Sequence, residues 1–283
     1  MAPTRLRHGR TPDSRAVREG LLDSRLPYLA FGQGPPLVVL PGFSAEHTVP
    51  AGQQRRFSLR PLAALAVHFT VYWVSPKPGL PPGSTIADVA GDYARGLDRT
   101  FTEPVCILGI STGGSIAQQL AIDHPQLVRR LVLVATACRL GPAGRRMQRD
   151  LARFTIAGRP RRAWAVTAPG LATTSAGGRL LAVVLWLSGA RPHPKDPSDM
   201  LAMIDAEDRF DATPLLHRIS APTLLVAGER DRYYTPELFR ETAARISGAR
   251  LRLYRGKGHA SIATLRHRPA IHEILRFLTT GDP

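Results

Sequence analysis

Val105-Cys106-Ile107-Leu108-Gly109-Ile110-Ser111-Thr112-Gly113-Gly114 runs from an unbroken apolar stretch into a serine flanked by glycines. A short apolar run that is partly β-branched and closed by glycine reads as a strand buried on both faces. The chain then turns into a helical pattern over Ser115–Ile122, which His124-Pro125 stops. Gly109-Ile110-Ser111-Thr112-Gly113 also fits G-x-S-x-G, a nucleophile carried on a sharp strand-to-helix turn. Alone the pattern is weak, because a glycine-rich turn without chemistry has the same letters. A serine in such a turn sits on strained backbone, so its flanks must be small. Gly109 and Gly113 meet that need.

The alternation continues on both sides. Strand-like runs recur at Leu37–Leu40, Thr70–Val74, Leu131–Ala135, Thr223–Ala227 and Leu251–Tyr254. Helical spacing fills Thr85–Phe101 through Ile86, Val89, Tyr93 and Leu97, and returns at Pro236–Ile246 and Pro269–Leu278, each with proline near its first turn. The pattern predicts an α/β fold, a mostly parallel central sheet flanked by helices. The alternation breaks between Arg139 and Asp211, where the composition is helical and no strand is convincing. The expected organisation is a flexible tail over 1–20, a core over 21–138 and 214–283, and a helical cap over 139–213 lying across one end of the sheet.

The elbow gains its meaning from two later loops. Gly228-Glu229-Arg230-Asp231 follows the run Thr223–Ala227, and Gly256-Lys257-Gly258-His259 follows Leu251–Tyr254. Both place their last residue at the carboxyl edge of the sheet, where open α/β sheets bind ligands. A serine hydroxyl is a poor nucleophile without a base. Imidazole, which titrates near neutrality, can take and return its proton, and a carboxylate can fix the tautomer. Ser111, His259 and Asp231 are therefore the candidate nucleophile, base and acid, with Glu229 as the alternative carboxylate. His8, His47, His68, His124, His193, His217, His267 and His272 lack this placement, and most of them read as surface or capping residues. Leu40-Pro41-Gly42-Phe43 follows another strand, in the loop that commonly supplies one oxyanion-hole N–H, the second coming from the residue after the nucleophile. Those donors are expected to be Phe43 and Thr112.

Over roughly residues 21–283 the chain resembles the α/β-hydrolase family. The resemblance rests on Leu40-Pro41-Gly42-Phe43, the elbow Gly109–Gly113, Ala221-Pro222-Thr223 leading to Gly228–Asp231, and Gly258-His259. It implies that 139–213 is the family's helical cap, which covers the site and shapes access. The family often has His-Gly in the oxyanion loop where this chain has Pro41-Gly42. Serine at position 111 argues against the dehalogenase and epoxide-hydrolase branches, which place an aspartate there. The expected reaction is hydrolysis of an ester, thioester or lactone through an acyl-enzyme, with no metal or organic cofactor. Acyl transfer to another acceptor, C–C hydrolysis and a non-catalytic binding role are the rival readings.

Composition fits this picture. The 283 residues are 43% hydrophobic and 21% charged, as in an ordinary globular chain long enough for a full core. The net charge of +16 invites nucleic-acid binding, yet all but three of the 38 basic residues are arginine. With abundant Ala, Gly and Pro this reads as a GC-rich genome's bias, and no zinc-finger or RNP-type signature accompanies it. Cys106 and Cys138 read as buried, reduced thiols. Residues 1–20 show no apolar signal core, and the longest apolar stretch, Leu180–Leu187, is too short to span a bilayer. A cytoplasmic protein acting on a small-molecule acyl substrate, without nucleic acid or stable membrane association, is expected. In the cap, Trp164 and Trp186 lie in a stretch whose one charge is Arg179, suited either to an apolar acyl group or to docking on the core. Arg145, Arg146, Arg149, Arg153, Arg159, Arg161 and Arg162 form a basic cluster that is a solvated face or a steering patch for an anionic substrate.

Overall fold

The computed structural model describes residues 17–188 and 196–280. Among these described residues eight strands form one sheet: β1 (Arg18–Leu22), β2 (Leu26–Gly32), β3 (Pro36–Leu40), β4 (Thr70–Val74), β5 (Val105–Ile110), β6 (Val128–Val134), β7 (Thr223–Gly228) and β8 (Arg250–Tyr254). Their order is β1-β2-β4-β3-β5-β6-β7-β8. The pairings from β4 through β8 are parallel, and β1–β2 and β2–β4 are antiparallel.

The strands alternate between two cores. Val38, Leu40, Ile107, Leu131, Leu133, Leu225 and Ala227 face one side, and Leu37, Val39, Cys106, Leu108, Val132, Val134, Leu224 and Val226 the other. The second face is covered by the segment containing α1 (Gly52–Leu59) and α2 (Ala63–Ala66), by α11 (His259–Ala263) and by α12 (Arg268–Thr279). On the first face lie α3 (Ile86–Thr100), α4 (Thr112–Asp123) and α10 (Pro236–Arg245). Each fully buried Leu, Ile or Val contributes about 1.5–3 kcal/mol, so these two layers dominate stability. Helix α3 starts on a capping box, with the Thr85 hydroxyl accepting from Asp88 N–H and the Asp88 carboxylate from Thr85 N–H. Across the layer, Tyr93 Oη donates to the Val74 carbonyl at 2.8 Å.

The expected strands and helices are present within a few residues of their expected ends. The β1–β2 hairpin was not expected. Residues 18–20, assigned to the tail, are strand, and the rest of that tail up to residue 16 lies outside the described residues. Asp23 and Ser24 make the turn at φ 49° and 57°, and Arg25 N–H donates to the Leu22 carbonyl at 3.0 Å. Two central residues at positive φ are the mark of a type I′ turn, normally signalled by Asn-Gly, and here neither residue is glycine.

Among the described residues between β6 and β7 lie five α-helices: α5 (Pro142–Ile156), α6 (Pro160–Ala165), α7 (Ala168–Leu171), α8 (Ser175–Ser188) and α9 (Ser198–Asp208). This is the helical cap insertion. Its two ends meet where Ala212 N–H donates to the Cys138 carbonyl at 2.9 Å. Met200, Ala202, Met203, Ile204 and Ala206 of α9 are buried. Among the described residues no helix is long and apolar enough to cross a membrane.

Candidate active site

Strand β5 ends at Ile110, and Ser111, the residue before α4, has its backbone at φ 51°, ψ −121°. That conformation is costly for a residue with a side chain. The surroundings fix it. Ser111 N–H donates to the Val134 carbonyl at 2.9 Å, and Gly114 N–H to the Ser111 carbonyl at 2.7 Å. A Cβ at Gly109 would come within 2.6 Å of the Gly113 carbonyl oxygen, and one at Gly113 within 2.2 Å of the Leu40 carbonyl oxygen. Both glycines are therefore required by close backbone approach, as the G-x-S-x-G reading demands.

The other two members come from the loops after β7 and β8. The loops are tied together: Arg230 N–H donates to the Lys257 carbonyl at 2.7 Å, and Gly256 N–H to the Glu229 carboxylate at 3.2 Å. Glu229 thus joins loop to loop, and the carboxylate facing the imidazole is Asp231. His259 Nδ1 lies 2.7 Å from Asp231 Oδ2, and His259 Nε2 lies 3.1 Å from Ser111 Oγ. The second carboxylate oxygen, Asp231 Oδ1, accepts from Tyr233 N–H at 2.8 Å and Tyr234 N–H at 3.1 Å. Asp231 and His259 are buried, while Ser111 is partly open to solvent. The Tyr234 ring stacks on the imidazole at 6.0 Å between centroids, and Tyr233 packs beside it at 4.7 Å. With Nδ1–H donating to the carboxylate, Nε2 is left free to accept the Ser111 proton. This is a serine-based triad, an arrangement suited to acyl-enzyme chemistry on ester-type bonds.

The Pro41–Phe43 loop lies against the nucleophile, since a Cβ at Gly42 would stand 3.4 Å from Ser111 Cβ. Thr112 is buried as the first residue of α4, and Phe43 is partly buried against the cap. Among the described residues the backbone N–H groups of Phe43 and Thr112 donate to no protein acceptor. Trp164 packs in a small cap cluster that also includes Phe43, around Leu151, Ala163, Met200 and Ile204. Trp186 lies on α8, which packs on α6 and α7, and is 45% exposed. Of the basic cluster, Arg149 pairs with Asp208 at 2.7 Å and Arg153 with Asp150 at 3.0 Å, while Arg146, Arg159, Arg161 and Arg162 are exposed.

Two polar residues of this region escaped sequence reasoning. His47, grouped with the surface or capping histidines, is buried, with Nδ1 3.1 Å from the Lys77 carbonyl oxygen, and burial pushes its pKa below the usual histidine value. His8 and His193 lie outside the described residues. Glu207 of α9 is buried beside the elbow and accepts from Thr112 Oγ1 and Gln148 Nε2, both at 2.8 Å, from Tyr234 Oη at 3.1 Å and from Ser115 Oγ at 3.2 Å. Burial drives its pKa above the ordinary glutamate range, and the four hydrogen bonds pull the other way without cancelling the rise. The available signal was its position. Met200, Met203, Ile204 and Glu207 follow the i, i+3, i+4, i+7 spacing of one helix face, so a carboxylate interrupts an apolar stripe. Among the described residues no cluster of His, Cys, Asp and Glu is arranged to hold a metal.

The chain is similar to several known proteins. The chain is 29% identical over 252 residues to the polyketide synthase ThaQ of Burkholderia thailandensis, covering 85% of this chain but only 12% of that protein's length. It is also 29% identical over 196 residues to a pimeloyl-[acyl-carrier protein] methyl ester esterase of Neisseria meningitidis, covering 66% of this chain and 74% of that one. A solved hydrolase from Pseudomonas aeruginosa superposes with a TM-score of 0.70 at 25% identity, covering 95% of this chain and 100% of that one. Residues 8–270 match the family described as the Alpha/beta hydrolase family, and the chain belongs to that family.

Proposed function

We propose that the protein is a serine hydrolase that cleaves a carboxylic ester, thioester or lactone through an acyl-enzyme. The observation that carries this reading is the unbroken hydrogen-bonded line from Ser111 Oγ through His259 to Asp231, at 3.1 and 2.7 Å, on a strained elbow. In the first half-reaction Ser111 Oγ attacks the carbonyl carbon while its proton passes to His259 Nε2. The oxyanion is held by the N–H groups of Phe43 and Thr112, aided by the positive end of α4. Collapse breaks the bond to the leaving oxygen or sulfur, which takes the proton from Nε2. Water then attacks the acyl carbon while His259 Nε2 accepts one of its protons; collapse breaks the bond from the acyl carbon to Ser111 Oγ, Nε2 returns the proton to Oγ, and the carboxylic acid leaves.

The substrate side of the proposal is a small acyl compound whose acyl group lies beneath the cap, with Trp164 and Trp186 as candidate contacts. The similarity to an esterase acting on an acyl-carrier-protein ester supports an acyl substrate of this kind. We place the reaction in the cytoplasm, a setting supported by two buried free thiols, Cys106 and Cys138. The test is a fluorophosphonate probe with mass spectrometry, run beside a panel of p-nitrophenyl esters of graded chain length with and without alcohol acceptors. Stoichiometric labelling at Ser111 and release of free acid are expected. Labelling elsewhere, or product formed only when an alcohol is added, overturns simple hydrolysis.

A further inference from the structure

Glu207 is a carboxylate buried in the middle of the molecule, 1% exposed, whose four hydrogen-bonding neighbours carry no positive charge. Taking a carboxyl group out of water without a cation is expensive, and filling such a site with apolar atoms often stabilises a fold. Holding the cap in place does not require it. Five apolar residues of α9 are already buried, Asp199 accepts from Gly79 and Leu80 N–H at 3.1 and 2.7 Å, and Arg209 donates to the Ser84 carbonyl at 3.0 Å.

The identity of its partners shows what it joins. Thr112 immediately follows the nucleophile, and Ser115 lies on the same first turn of α4. Tyr234 donates its backbone N–H to Asp231 and stacks its ring on His259. Gln148 belongs to α5 of the cap. One carboxyl group therefore touches the oxyanion side of the site through Thr112 and the acid–base side through Tyr234, from a helix of the cap. Among the described residues the elbow is also joined to the acid–base side by the Ser111–His259 hydrogen bond, but that bond is made by the reacting groups themselves, whereas the Glu207 contacts hold their surroundings.

We propose that Glu207 is a positioning residue that locks the elbow and the acid loop into mutual register, so that the cap completes the catalytic geometry as well as covering it. The inference rests on the hydrolase reading above. A displacement of the reacting groups by about 1 Å is enough to lose about 10²-fold in rate, which sets the scale of the effect.

The test compares Glu207→Leu with Glu207→Gln in the full chain. Glutamine keeps the frame: its carbonyl accepts from Thr112 and Gln148, and its amide donates to the hydroxyl oxygens of Ser115 and Tyr234. Leucine removes the frame at similar volume. Below the melting temperature of both, Glu207→Leu is expected to lose about 10²-fold in kcat with KM within about threefold, and Glu207→Gln to stay within about threefold in both. In the resting protein, the downfield proton signal of the His259 Nδ1–H is expected in wild type and Glu207→Gln, and broadened or shifted in Glu207→Leu. Thr112→Val and Tyr234→Phe each remove one hydroxyl, and they decide the matter if Glu207→Leu does not fold, with a fall of about tenfold in kcat expected. Wild-type kcat and an unchanged proton signal in folded Glu207→Leu, or in both hydroxyl variants, overturn the inference. Equal damage in Glu207→Gln and Glu207→Leu also overturns it, because charge and not the frame would then be at work. Failure of the hydrolase reading is seen separately, as wild-type protein that neither labels nor turns over, and the proton signal still reports on Glu207.

Discussion

Ser111 holds its hydroxyl on backbone at φ 51°, and the strain is supported by neighbours that a side chain at Gly109 or Gly113 would overlap. Ser111→Ala is expected to abolish fluorophosphonate labelling and esterase turnover while leaving the melting temperature near wild type. Asp231→Asn should lower kcat by about 10⁴-fold by favouring the wrong imidazole tautomer, whereas Glu229→Gln, which alters only a loop-to-loop contact, should stay near wild type. The reverse result would move the acid to Glu229. A pH effect belongs to His47. Burial lowers its folded-state pKa below the ordinary 6.5, so below that pH the unfolded chain binds a proton that the folded one refuses. Its contribution is present above about pH 6.5 and is lost as pH falls toward the folded value. Melting temperature is therefore expected to fall less steeply from pH 7.5 to pH 5.5 in His47→Gln than in wild type, and equal slopes would remove His47 from the acid response. The triad was legible because each member lies in a short motif at the carboxyl end of a strand. Glu207 was not, because its partners Gln148 and Thr112 lie 59 and 95 residues away, a distance no local pattern spans.

At the scale of elements, the central strands were readable because their buried stretches, such as Leu37–Leu40, Val105–Leu108, Leu131–Val134 and Leu224–Val226, are continuous apolar runs. The β1–β2 hairpin was hidden for the opposite reason. Strand β1 is an edge strand with mostly exposed residues, and its turn uses Asp23-Ser24 in place of a glycine signal. Ser24→Gly relieves a left-handed serine and is expected to stabilise the protein by about 1 kcal/mol, or ~2 °C in Tm. An unchanged or lower Tm would show that the turn is held by contacts beyond its own backbone, such as the ion pair of Asp23 with Arg99 at 2.5 Å. In the cap, Trp164 shares a cluster with Phe43, so Trp164→Ala is expected to shift acyl-chain preference by several-fold per carbon. Trp186→Ala, on a more exposed face of α8, provides the comparison. Thermal melts must accompany both, and an unchanged chain-length profile in the folded variants would make these tryptophans docking residues.

The whole molecule carries a net charge of +16, and Arg146, Arg159, Arg161 and Arg162 are exposed on the cap. If that field steers substrate, kcat/KM for an anionic thioester should fall several-fold between about 50 and 500 mM salt while a neutral ester of equal chain length changes little. Parallel curves would leave the basic cluster as a solvated surface. The cap enters between β6 and β7 and leaves through two nearby residues, Cys138 and Ala212, which makes it look like a removable module. The Glu207 contacts say otherwise for its first and last helices. A chimera that replaced everything between those two points with a foreign cap would leave the hydroxyls of Thr112, Ser115 and Tyr234 facing a surface never matched to them. Recombination that keeps α5 and α9 with the core and exchanges only α6 to α8 would carry Gln148 and Glu207 along. A swap of that kind is expected to keep the Glu207 contacts intact and to change only the three middle helices.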